Sequence, residues 1–122
     1  MKIKLWHSID KEIIWDAQNM VDGKWNIGKL MQNKHIKTCF SVGMTDKNGV
    51  DIYTDDIVMY DNNLYRLSRF RNGAVTLYND RQSLLLHNTD KNKIEVLGSY
   101  WELNVKKGWL LLTLLLYYKY KE

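Results

Sequence analysis

Turn-forming residues punctuate the second half of this chain at intervals of roughly eight to ten, and that rhythm constrains the fold more than any other feature. Asn62-Asn63, Asn72-Gly73, Asn79-Asp80 and the stretch 88–92 separate short runs of apolar and aromatic residues. A run of that length buries one face as a strand and reverses at each turn, which is the pattern of an antiparallel meander. Five strands are predicted, near residues 57–60, 64–70, 74–78, 83–87 and 94–97. Curling such a sheet into a small SH3-like antiparallel barrel, over about residues 50–98, removes its exposed edges. The chain has seven glycines and no proline, so Gly, Asn and Asp must supply the turns.

The sharpest single turn signal lies just upstream, at Thr45-Asp46-Lys47-Asn48-Gly49. Asn48-Gly49 suits a type I′ hairpin turn, in which both central residues take positive φ. Residues 36–42 lead into it as a strand, with Phe40 and Val42 on one side, and residues 51–53 lead out. Nearer the start, residues 2–6 alternate polar and apolar, with Ile3 and Leu5 on one face, and residues 12–15 are placed to pair with them. Residues 22–37, where turn formers at Asp22-Gly23 and Gly28 alternate with Trp25, Ile27, Leu30 and Met31, carry no clear period. The chain therefore reads as mostly β and as a single domain, within the range of about 50 to 200 residues typical of one core. Its parts are a β-rich N-terminal extension (1–42), the barrel (43–104) and an apolar C-terminal tail (105–122).

That tail is Leu-rich, with almost no β-branched residue and no polar face. It is too short for a bilayer, which needs about 20 apolar residues in a helix, so no membrane span is predicted. A buried terminal element is one reading of it. An oligomer or partner interface through Trp109, Leu110, Leu112, Leu114, Leu116 and Tyr117 is another, because an element apolar all round needs cover on every side. Membrane association is the third.

Composition argues for a folded protein: 45% of residues are apolar and 12% aromatic, whereas a disordered tail carries few aromatics. The net charge of +4 is spread along the chain with no basic block, so it implies an acidic partner only weakly. Cys39 is the sole cysteine, which leaves no intramolecular disulfide, and the N-terminus lacks the apolar run of a signal peptide. A reducing, cytoplasmic compartment is the expectation.

Catalytic and metal chemistry find little support. His7, His35 and His87 are scattered, and zinc sites bring Cys and His together in closely spaced pairs. Asp46, Asp51, Asp55 and Asp56 form the densest acidic cluster, but Gly49 falls at position 4 of that loop, where a calcium-binding EF-hand places its glycine at 6. Asp46 and Asp51 fit the role of turn residues bonding local N–H groups, and adjacent Asp55 and Asp56 would point to opposite faces of a strand. Nucleophile-elbow, phosphate-loop and Cys/His-dyad patterns are all missing, so no cofactor, metal or catalytic residue is expected and the chain reads as a non-enzyme. Cationic and aromatic residues do interleave at Tyr65, Arg66, Arg69 and Arg71, followed by Tyr78 and Arg81. Stacking plus phosphate neutralisation would bind single-stranded nucleic acid there. A strand, however, sets Arg66 on one face and Arg69 and Arg71 on the other, which favours a solvated strand.

The run GMTDKNGVDIYTDDIV at residues 43–58 resembles the hallmark of the YopX family of small phage and prophage proteins, whose pattern is close to T-G-L-K-D-K-N-G-K-E-I-Y-E-G-D-I-V. Ile94-Glu95-Val96-Leu97-Gly98 followed by Glu102 is similar to the family's closing I-E-V-I-G-N-I-Y-E-N-P, and Lys2-Ile3-Lys4 with Trp6 to its start. The resemblance spans most of residues 1–104. Asp55 stands where the pattern has Gly before the D-I-V triplet, Asn104 where it has Pro, and residues 109–122 have no counterpart. The resemblance implies a phage-encoded, β-rich protein of the host cytoplasm, with no catalytic residues to carry over. The expected function is binding of a host macromolecule, foremost a host protein, with inhibition of a defence or regulatory protein as its effect, by a homo-oligomer. Nucleic-acid binding through Tyr65, Arg66, Arg69, Arg71, Tyr78 and Arg81 is the first alternative, and sequestration of a small nucleotide the second.

Overall fold

The computed structural model describes residues 2–20, 29, 32–68 and 73–106. Strands β1 (Ile3–His7), β2 (Glu12–Ile14), β3 (Ile36–Thr45) and β4 (Asp51–Tyr53) form one antiparallel sheet in the order β2-β1-β3-β4. Strands β5 (Asp56–Tyr60), β6 (Asn63–Leu67), β7 (Thr76–Tyr78), β8 (Ser83–Leu85) and β9 (Glu95–Ser99) form the second, in the order β8-β7-β6-β5-β9. Helix α1 (Tyr100–Lys106) follows directly. The mostly β class and all five strands of the meander thus match the sequence reading. The second sheet curls into a half-barrel, with β8 and β9 at its edges.

Several local details differ from expectation. β6 ends at Leu67, short of the predicted residue 70, and β8 ends at Leu85, where a 3-10 turn (Leu86–Asn88) takes over. The hairpin between β3 and β4 is not type I′: Gly49 has φ of +78°, but Asn48 is not left-handed. The Gly49 N–H donates to the Asp46 carbonyl at 3.1 Å and the Asp46 N–H to the Val50 carbonyl at 2.8 Å, a longer loop in which one left-handed glycine suffices. Helix α1 has no counterpart in the sequence reading, because it is too short to show a 3.6-residue period.

Period-two alternation distributes the apolar residues between separate cores. Val58 and Tyr65 face inward with Ile52, Leu67, Leu77 and Ile94, forming the main core of the half-barrel. Ile57 and Leu64 face the other way and are covered by Met59, Tyr100 and Leu103. A third cluster under the first sheet contains Ile3, Leu5, Ala17 and Ile36. At ten residues β3 is long enough to serve two of these: Phe40 packs on the third cluster, and Val42 and Met44 on the main core. Each fully buried Leu, Ile or Val contributes about 1.5–3 kcal/mol.

The seating of α1 depends on an irregularity in β9. Ile57 pairs with Gly98 but Val58 with Val96, so Leu97 is an extra residue, 38% exposed. Gly98 has φ of +150°, and a Cβ there would lie 3.3 Å from both Leu103 Cγ and Glu102 Oε1. Gly98→Ala is therefore expected to destabilise the protein by about 1–3 kcal/mol through backbone strain and displacement of α1. Urea unfolding checks this, with a lowered midpoint and an unchanged slope.

Candidate functional site

The four carboxylates of residues 46–56 diverge into different environments. Asp46 is buried and accepts three backbone hydrogen bonds, from Asn48 N (2.8 Å), Val50 N (2.9 Å) and Val96 N (2.8 Å). The first two close its own turn. The third ties that turn to β9, beside a Lys47 N–H donated to the Ile94 carbonyl at 3.0 Å. Burial alone would push the Asp46 carboxyl up, but the three N–H donors hold it below the usual carboxylate range. Asp51 reaches the Lys2 ammonium at 2.8 Å across an exposed surface, where an ion pair contributes little.

Asp55 lies in the tight turn between β4 and β5 with φ of +65°, so the backbone takes the left-handed conformation although Asp replaces the pattern's Gly. It belongs to a turn, not to a strand face as the sequence reading expected, and only Asp56 opens β5. Its backbone is clamped on both sides, by its N–H to Leu67 O (3.1 Å) and its carbonyl to Tyr100 N (2.7 Å). Its carboxylate accepts from Arg66 Nη2 at 3.0 Å and from the Trp101 indole at 3.3 Å. The Arg66 guanidinium stacks on Tyr100, 3.7 Å from the ring centroid. The side chain of Asp55 thus bridges β6 and α1.

Asp56 turns the other way and is fully buried. It accepts from Lys4 Nζ at 2.6 Å and from Tyr53 N at 2.8 Å. The Lys4 side chain, 3% exposed, also lies over the rings of Tyr53 (4.7 Å) and Trp15 (5.1 Å). The pair joins β1 of the first sheet to β5 of the second. Burial raises the Asp56 carboxyl to about 6, with the Lys4 charge and hydrogen bond opposing.

Among the described residues, the interleaved arginines and tyrosines fall in different environments. Arg66 is engaged by Asp55 and Tyr100, and Tyr65 is 2% exposed in the main core. Tyr78 is 38% exposed and pairs across the sheet with Arg66; Arg81 is exposed in the turn between β7 and β8. Arg69 and Arg71 lie outside the described residues, as do Trp109, Leu110, Leu112, Leu114, Leu116 and Tyr117 of the tail. Among the described residues no three His, Cys, Asp or Glu gather as metal ligands, and no helix is long and apolar enough to cross a membrane.

A cleft of about 550 Å³ opens between the β5–β6 hairpin and β8. Tyr60 and Tyr65, with ring centroids 6.5 Å apart, line it, and Gln82 donates to the Tyr65 hydroxyl. Ser83, Leu84 and Leu85 form its opposite wall, and Asp61 is the one charged residue of its described lining. Sequence reasoning missed Tyr60, Gln82 and Leu85 as site residues. Their shared signal was weak: each stands beside a turn, but which strand ends at an edge depends on the topology.

The Lys4–Asp56 pair generates a test. Between the ordinary value of 3.8 and about 6 the native state binds more protons at Asp56 than the unfolded chain, so this group adds stability as pH falls through that window. Lys4→Met leaves the carboxylate buried without its cation and is expected to lose about 3–5 kcal/mol at neutral pH. The loss should shrink on acidification, because Asp56 then buries as the neutral acid, and Lys4→Met/Asp56→Asn should recover most of it. Denaturant titrations of the three proteins from pH 8 to pH 5 give the comparison.

No curated protein matches the chain. Among solved structures it is similar to the crystal structure of protein EF1440 from Enterococcus faecalis, at 16% identity and a TM-score of 0.46, with 84% of this chain and 94% of that one covered. The sequence model for the YopX protein matches residues 5–104, which contain the turn at Asp46, the paired carboxylates Asp55 and Asp56, and the Gly98 bulge. The chain belongs to the YopX family.

Proposed function

We propose that this YopX-family chain is a non-catalytic, phage-encoded accessory protein that binds a host macromolecule in the host cytoplasm, and that its target is a protein of a defence or regulatory system. The observation that carries the reading is the chemistry of the cleft. Its described lining offers tyrosine rings, amides, hydroxyls and leucine side chains with one carboxylate and no cation. A phosphate-bearing ligand needs cations or clustered N–H donors, so this surface suits a polypeptide better than a nucleotide or a nucleic-acid backbone. The conspicuous charged residues of the hallmark serve internal pairing, at Asp46, Asp55 with Arg66, and Asp56 with Lys4, which supports a scaffold role for them. Self-association through Trp109, Leu110, Leu112, Leu114, Leu116 and Tyr117 forms part of the same proposal.

Nucleic-acid binding stays a second reading because Tyr78 is exposed beside the β7–β8 turn that carries Arg81, on a chain of net charge +4. Two measurements separate the readings. Affinity capture from host lysate, followed by reconstitution with the purified candidate, is expected to give a stoichiometric protein complex that survives nuclease treatment and raised salt. A gel shift with single-stranded oligonucleotides is expected to show no retardation at low salt. Retardation whose affinity falls steeply with salt, with no reconstituted protein complex, would sink the protein-binding reading.

A further inference from the structure

We infer that β8 is a docking edge for an extended peptide segment of a partner protein, added as a sixth strand to the half-barrel and seated in the adjoining cleft. This inference rests on the protein-binding reading above. Leu77 pairs with Leu84, the Leu86 N–H donates to the Val75 carbonyl at 2.9 Å, and the Asn79 N–H donates to the Gln82 carbonyl at 3.0 Å. Residues 82, 84 and 86 therefore turn their backbone groups toward β7. In an antiparallel ladder the alternate residues turn theirs away, so the N–H and C=O groups of Ser83 and Leu85 face outward from the sheet. Neither forms a hydrogen bond with another strand among the described residues, since β8 has β7 as its sole neighbour there.

Outward N–H and C=O groups two residues apart specify the partner's geometry. They are matched by an extended backbone and by little else, which is how peptides add to an exposed sheet edge. The same residues, Ser83 to Leu85, wall the cleft of about 550 Å³, which the half-buried Tyr60 also lines, so a strand laid on this edge would lie beside the Tyr60 ring. The other edge, β9, is less open: Asp46 already accepts the Val96 N–H, and Ile94 just before it accepts from Lys47. Charge narrows the occupant further. Asp61 is exposed, and no cation lines the described wall, which selects a neutral or basic segment with apolar side chains at alternate positions.

Leu85 allows a clean test, because its φ of −76° is already that of proline and its N–H points away from β7. Leu85→Pro removes one outward donor and leaves the β7 ladder intact. A bead library of end-blocked random hexapeptides is screened against the full chain, and recovered peptides are measured by fluorescence anisotropy. Expected are peptides alternating apolar with polar residues and carrying Lys or Arg. Their affinity should fall about tenfold for Leu85→Pro, and by about threefold or less for Leu85→Ala, which keeps the N–H. A second measurement is independent of that variant's folding: N-methylation at alternate peptide positions should weaken binding about tenfold, and at the intervening positions leave it unchanged.

Recovery of no peptide, indifference to both Leu85→Pro and N-methylation, or a homodimer that Leu85→Pro dissociates would each overturn the inference. A host protein that binds wild type and Leu85→Pro equally would also overturn it while leaving the protein-binding reading intact. Failure to reconstitute any host-protein complex would strike the broader reading instead.

Discussion

The buried contact between Lys4 and Asp56 holds the two sheets in register. A charge pair this far from water returns its desolvation cost only when geometry and additional hydrogen bonds are good. Here the carboxylate also takes the Tyr53 N–H, and the ammonium lies against two aromatic rings. β1 and β5 are therefore locked at one relative position, and β3, spanning both cores, must follow. Apolar contacts alone tolerate sliding; a hydrogen-bonded charge pair does not.

Asp55 and Asp46 extend the same principle to the rest of the hallmark. Asp55 tolerates a left-handed backbone because its turn is clamped by Leu67 and Tyr100 and its carboxylate by Arg66 and Trp101. Asp46 fastens the β3–β4 turn to β9, so a turn in the middle of the chain positions a strand near residue 96. The two carboxylates Asp46 and Asp56 respond to pH in opposite senses. Asp46 stabilises the fold above its depressed range and loses that contribution on acidification, whereas Asp56 is less costly to bury once protonated. A signature that looks acidic and site-like on paper acts here as a set of internal fasteners.

Much of the architecture was legible in the chain. Turn residues at Asn62, Asn79 and Asn88 delimit the meander, and the unbroken apolar run Ile57-Val58-Met59-Tyr60 fits a strand covered on both faces. The cleft was not legible. Tyr65 and Arg66 are neighbours in sequence, and their chemical types alone suggested a shared surface; the pleat sends Tyr65 into the main core and Arg66 toward α1. Gln82 and Leu85 carry no local mark, because their role comes from lying at an edge opposite Tyr60.

The sequence by itself determined the β class, the order of the meander strands and the family, since these rest on turn chemistry, period-two alternation and local motif spacing. The tertiary structure decided what the hallmark carboxylates do and which residues line the cleft. Lys4 and Asp56 are 52 positions apart, as the pairing of Asp46 with Val96 spans 50, and no local periodicity encodes such contacts. Which strand ends at an edge is likewise a property of the whole sheet: among the described residues β9 returns beside β5, and β8, with β7 as its one neighbour, lines the cleft.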